Sequence, residues 1–189
     1  MFQDIVFPHN NEQDFLNLSK KLDISKISFC YPFGKKPDSG AFEFSSNSYE
    51  IKKSPLASPV ISLSADRDIF EMQKPMLILG LEEISRNDSM HARHSGLNHI
   101  LAELAHKNGH AVCFSQCTLL NSNSTNFPTL LGRMMQNVSL CRKYEVKMKL
   151  ASFAKSPYQM RAKKEIESFG YFLGMHHDEI KKALELNFD

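Results

Sequence analysis

A chain of 189 residues with 42% hydrophobic and 23% charged residues has the balance of an ordinary globular domain. No apolar run nears the roughly 20 residues of a membrane-spanning helix, and the N-terminus lacks the basic-then-apolar pattern of a secretion signal. The formal net charge of +2 excludes nothing, but Cys113 and Cys117 lack the second cysteine pair that a zinc ribbon needs, so the four cysteines read as buried thiols of a cytoplasmic protein.

Short apolar runs alternate with helical patterns along the chain, the signature of a parallel α/β protein. The first candidate strands are FQDIVF (2–7) and KISFCY (26–31). Residues 32–58 are rich in Pro, Gly and Ser and read as a long loop, with room for one extra strand at 41–44. PVISL (59–63), MLIL (76–79) and HAVCF (110–114) are short and apolar, as buried parallel strands should be. Between the last two, a helix runs from Ser95 as N-cap to a stop at Gly109, with Leu97, Ile100, Leu101, Leu104 and Ala105 on one stripe.

A longer helix covers about 126–144. Phe127, Leu131, Met134, Val138 and Cys141 mark its buried face, and Arg133, Gln136, Asn137 and Lys143 fall away from it. KMKLAS (147–152) is the next strand. Ser156-Pro157 then opens a helix over 157–168, GYFLG (170–174) predicts a further strand, and 177–186 a last helix. Seven strands with helices between them predict one domain over 1–189. Its fold is a compact (β/α) barrel, incomplete beside the usual eight strands, with an open doubly wound sheet as the rival.

Charge is unevenly spread. Residues 131–164 hold nine basic residues and one acid, Glu145. Such a run marks either a solvated face or a surface for a polyanion. Lys155, Arg161, Lys163 and Lys164 crowd the end of strand 147–152, where a barrel would place its chemistry. No carboxylate, cysteine or histidine stands there to perform any. No glycine-rich phosphate loop and no G-x-S-x-G elbow occur elsewhere. The histidines of HARH (91–94), with His99 and His9, suit a metal-dependent phosphoesterase by type, yet carboxylates to support them are sparse. The basic lip is therefore expected to face phosphate, binding without catalysing.

Two segments carry a family resemblance. HSGLNHILAELAHKNGHAVCFSQCTLL and LLGRMMQNVSLCRKYEVKMKLASFAKSPYQMRAKKEIESFGYFLGM, together spanning about Arg93 to Met175, resemble ribonuclease P protein component 3 of archaea and eukaryotes. The resemblance implies a TIM-barrel-like fold related to metal-dependent hydrolases. It also implies a subunit of ribonuclease P, which removes the 5′ leader of precursor tRNA. The implied partners are the catalytic RNA, which holds the magnesium ions, and protein component 2, with precursor tRNA as substrate. No cofactor of the protein itself is implied. Matching positions nominate Arg93, Asn98, His99, Arg133, Asn137, Arg142, Lys143, Lys155, Ser156 and Arg161 for RNA contact, although Asn98 and Asn137 could instead brace the barrel. The loop SFAKSP departs from the pattern by lacking a glycine, and MQKPMLIL lacks the aspartate that often follows. A metal-dependent hydrolase and a protein-only assembly scaffold are the competing readings.

Overall fold

The computed structural model describes residues 2–35, 41–53, 60–83, 88–89 and 93–185. Seven parallel strands follow one another in chain order: β1 (Gln3–Val6), β2 (Lys26–Pro32), β3 (Phe42–Ser45), β4 (Val60–Ser62), β5 (Leu77–Leu79), β6 (Ala111–Ser115) and β7 (Lys147–Ala151). A parallel bridge between Val6 and Ala154, with Phe7 N donating to the Ala154 carbonyl at 2.8 Å, joins the last strand to the first. The sheet thus curls into a nearly closed, TIM-barrel-like α/β barrel of seven strands, which is the predicted class. Among the described residues no eighth strand stands between β7 and β1.

Alternation along the strands sorts two cores. Ile5, Cys30, Phe42, Ile61, Leu77 and Cys113 fill the barrel. Val6, Ile78, Val112, Phe114 and Leu150 point outward under the helices. Those helices are α1 (Glu12–Lys21), α2 (Ser48–Lys53), α3 (Arg67–Phe70), α4 (His99–Lys107), α5 (Gln116–Leu120), α6 (Phe127–Lys143), α7 (Lys163–Phe172) and α8 (His177–Ala183). Single helical turns at Leu81–Glu83 and Pro157–Gln159 follow β5 and β7. All four cysteines are buried and free, as their apolar neighbours suggested.

The extra strand for which 41–44 had room exists, as β3. Other expectations need correcting. GYFLG is not a strand: Gly170 to Phe172 are the last residues of α7, whose buried face is Ile166, Phe169 and Gly170. A cluster of apolar residues at a helix C-terminus reads like a strand when taken alone. The segment 157–168 is likewise one short turn followed by α7, not one helix. Finally, α4 is capped by Asn98, whose Oδ1 accepts from Leu101 N at 2.9 Å, while Ser95 lies further upstream, buried, with its hydroxyl on the Leu97 carbonyl.

Candidate nucleic-acid interface

Strand direction divides the nominated residues between the two ends of the barrel. Loops that leave the C-terminal strand ends form its mouth, and the long helices run back, so their C-termini lie at the opposite end. Arg93, Asn98 and His99 precede or begin α4 and sit toward the mouth, all exposed. Arg93 also donates to the Gly132 carbonyl at 3.3 Å, lying across the first half of α6. Lys155, Ser156 and Arg161 leave β7 at the mouth. There Gln159 Oε1 accepts from Lys155 N at 3.0 Å and from Ser156 N at 3.2 Å, so one side chain fixes the turn that presents them. Arg161 is half-buried, and its Nη1 donates to the carbonyls of Tyr158 (3.0 Å) and Met160 (2.9 Å), which pins the guanidinium against that turn.

The remaining nominees are held within the protein or lie away from the mouth. Arg133, only 6% exposed, donates from Nε to Asp88 at 2.9 Å and from Nη1 to the Glu82 carbonyl at 2.9 Å, and pairs through Nη2 with Asp88 at 2.8 Å. It ties α6 to the loop after β5 and is not offered to solvent. Asn137 is fully buried, and its Nδ2 donates to the Ser95 carbonyl at 2.9 Å. Arg142 grips both oxygens of Glu179 at 2.7 Å and also donates to the Gly174 carbonyl at 2.8 Å. Lys143 lies over the Tyr144 ring, 5.3 Å from its centroid. Both sit at the last turn of α6, at the far end from Lys155. The basic run read from sequence is thus split: Arg133 and Lys149 are buried, Arg142 and Lys143 are remote, and Lys155 and Arg161 remain at the mouth with exposed Lys163 and Lys164 close behind.

Inside that rim lies a cleft of about 830 Å³. Phe7, Phe44, Leu79 and Phe153 floor it, with exposed Leu63 at its edge. Phe7 meets Phe44 edge-on at 5.0 Å and stacks near Phe153 at 6.1 Å. Phe153 has φ 51°, the left-handed region that costs a bulky residue energy. Two hydrogen bonds from Ser152 to Asp4 and the Phe7–Ala154 bond hold it there. Cys117 lines the cleft, but burial pushes its thiol up to about 11, so it is no nucleophile at neutral pH. Among the described residues no three His, Cys, Asp or Glu side chains are grouped to hold a metal ion. His91 falls outside the described residues, while His9 stands on the β1 loop and His99 at the start of α4.

Sequence reading missed two features. Tyr158 is 88% exposed between Lys155 and Arg161, an aromatic among cations that the string KSPYQMR displays. The asparagine-rich stretch NSNSTN (121–126) supplies one wall of the cleft.

Fold and rim together define a β/α barrel whose mouth, among the described residues, carries cations and amides rather than a cluster of metal ligands. No family model matches the sequence. The chain is similar to ribonuclease P protein component 3 of Methanosarcina mazei, 37% identical over 90 residues, which is 48% of this chain and 38% of that protein. It is similar to the component 3 protein of Thermococcus kodakarensis at 34% over 89 residues, 47% of this chain and 40% of that one. The matched stretch therefore spans about two fifths of each relative's length. In three dimensions the chain overlays one chain of the cryo-EM structure of archaeal ribonuclease P with mature tRNA. The TM-score is 0.75 at 18% identity, over 95% of this chain and 86% of that one. The resemblance read from the two sequence segments is borne out.

Proposed function

We propose that this chain is a protein subunit of ribonuclease P, the ribonucleoprotein that cleaves the 5′ leader from precursor tRNA. It binds and supports the catalytic RNA alongside protein component 2 and contributes no catalytic group. The magnesium ions belong to the RNA, and the complex works in the cytoplasm. The observation that carries this reading is the sequence similarity to component 3 in a chain with the fold of a ribonuclease P assembly member.

Geometry supports the binding role at the mouth. Lys155, Arg161 and Arg93 provide charge, and Asn98, His99 and Ser156 lie toward the same end of the barrel. Arginine can grip phosphate oxygens with two parallel bonds, and neutralised phosphates release counterions to drive binding. Arg133, Asn137, Arg142 and Lys143 are not in this set, because each is committed within the protein or remote from the rim.

Reconstitution tests the reading. Catalytic RNA and its partner proteins are assayed for precursor-tRNA cleavage with and without this chain, and the chain is assayed alone. Cleavage that rises on addition, with none from the chain alone, is the expected result. Cleavage of phosphoesters by the chain alone would favour the hydrolase reading instead.

A further inference from the structure

We propose that the cleft at the barrel mouth takes in one unpaired nucleotide of single-stranded RNA, its base on the apolar floor beside Phe44 and Leu63 and its phosphate at Lys155. The proposal rests on the RNA-binding reading above and adds a specific pocket and ligand to it.

The cleft has three kinds of wall, and each matches one part of a nucleotide. At about 830 Å³ it falls within the range of sites that enclose small molecules. Its floor is apolar, with half-buried Phe44 and Leu63, 39% exposed, as the accessible parts. A flat base gains by covering such a surface.

The facing wall is made of amides. Asn123 spends its Oδ1 on Asn126 N at 2.9 Å and Thr125 Oγ1 at 3.1 Å, and Asn121 spends its Oδ1 on Gln159 Nε2 at 3.3 Å. In both cases the NH₂ group is left to donate. The Asn126 side chain caps nothing, although it stands at the start of α6. Unpaired amides are what the hydrogen-bonding edge of a base requires, and a purely apolar ligand would leave them unsatisfied.

Lys155 and His9 stand at the opening, and Glu83 is the one carboxylate lining it among the described residues. One carboxylate and one lysine suit neither a metal ion nor a triphosphate. Lys155, the one lysine in the lining among the described residues, matches the charge of a single backbone phosphate. A paired base cannot enter, since its edge and both faces are already covered in a duplex, so the pocket selects single strands.

The test compares binding of a uridine hexamer and of a twelve-pair RNA duplex to the full chain. The variants are Ala65→Trp, which fills the cleft from its lining, and Asn126→Ala, which removes one amide. Thermal melts followed by circular dichroism establish that each variant is folded. Ala65→Trp is expected to weaken hexamer binding about tenfold, the scale of one lost base-stacking contact. Asn126→Ala is expected to weaken it about threefold, the scale of one modest hydrogen bond. Duplex affinity and the salt dependence should stay at wild-type values in both. If Ala65→Trp does not fold, Asn126→Ala carries the same comparison. Wild-type hexamer affinity in the folded variants, or equal weakening toward the duplex, overturns the pocket and leaves the RNA-binding rim standing. A wild-type chain that binds neither RNA overturns both.

Discussion

Asp4 on β1 accepts two hydrogen bonds from Ser152, just beyond β7, one from its backbone N at 2.7 Å and one from its hydroxyl at 2.6 Å. This pair sits on the seam that closes the barrel and sets the turn that carries Phe153 and Lys155 to the mouth. Both bonds favour the carboxylate, but burial outweighs them and raises the Asp4 pKa from 3.8 to about 6. A carboxyl whose pKa rises on folding binds its proton more tightly in the native state. Its contribution to stability is therefore fully present below about pH 4 and is lost as the pH rises through about 6. The rise corresponds to roughly 3 kcal/mol. Asp4→Asn keeps the shape and removes the titration. Urea unfolding of both proteins should show wild-type stability falling relative to the variant by about that amount between pH 4 and pH 7. A difference that stays constant across this range would refute the assignment.

Arg133 and Asp88 form the second fastening. The guanidinium is almost wholly buried, and its two contacts with Asp88 are joined by one to the Glu82 carbonyl. Removing it strands those acceptors, and breaking a buried pair by deleting one partner costs about 3–5 kcal/mol. Since Asp88 is partly exposed, Arg133→Ala is expected at the low end, about 3 kcal/mol in urea unfolding. RNA affinity, corrected for the folded fraction, should not change. A stable variant with weakened RNA binding would return Arg133 to the contact set.

These two pairs show what sequence reading reached and what it did not. Six of the seven strands and the long helix α6 were legible because runs of apolar residues, or their period along a helix, are local signals. Arg133 was not legible as a buried residue, and Asn137 was legible only as an alternative, a brace of the barrel rather than an RNA contact. Each lies off the apolar stripe of α6, so period alone does not mark it as buried, whereas the structure buries them against Asp88 and Ser95. Those partners are 45 and 42 positions away, and no local pattern announces them. Lys155 and Arg161 were legible as a rim because charge density on a strand-end loop needs no partner to be noticed. The cleft was not, because its floor and walls come from the ends of six different strands, β1 and β3 to β7.

Gly170 repeats the lesson for packing, since its place in a helix was hidden by its type. A Cβ built there would lie 2.8 Å from Ile180 Cγ1 on α8 and 2.8 Å from Leu150 Cδ1 on β7. The glycine lets α7 press against both. Gly170→Ala gains about 1 kcal/mol in helix propensity but meets overpacking of about 1–3 kcal/mol. Two crowded contacts decide the sign, and a net loss of about 1 kcal/mol in urea unfolding is expected. A stabilised variant would mean that α7 can move outward at little cost.

The division between rim and far end gives the sharpest test of the interface. Lys155 and Arg161 stand at the mouth, and Arg142 stands at the far end, already paired with Glu179. Each phosphate contact contributes about 0.9 to the slope of log affinity against log salt. Replacing Lys155 and Arg161 together by alanine should therefore flatten that slope for the catalytic RNA by roughly 2. Arg142→Ala should leave the slope unchanged. Its cost should be under about 1 kcal/mol in stability, because the guanidinium is about one third exposed and solvent screens the pair. Tyr158→Ala adds a third arm. With 88% of the residue exposed, its loss should leave stability unchanged. If the ring stacks on an unpaired base, affinity for single-stranded RNA should fall about tenfold with the slope intact. Equal slopes for the rim double variant and Arg142→Ala would remove the mouth from the interface and point to another face of the barrel.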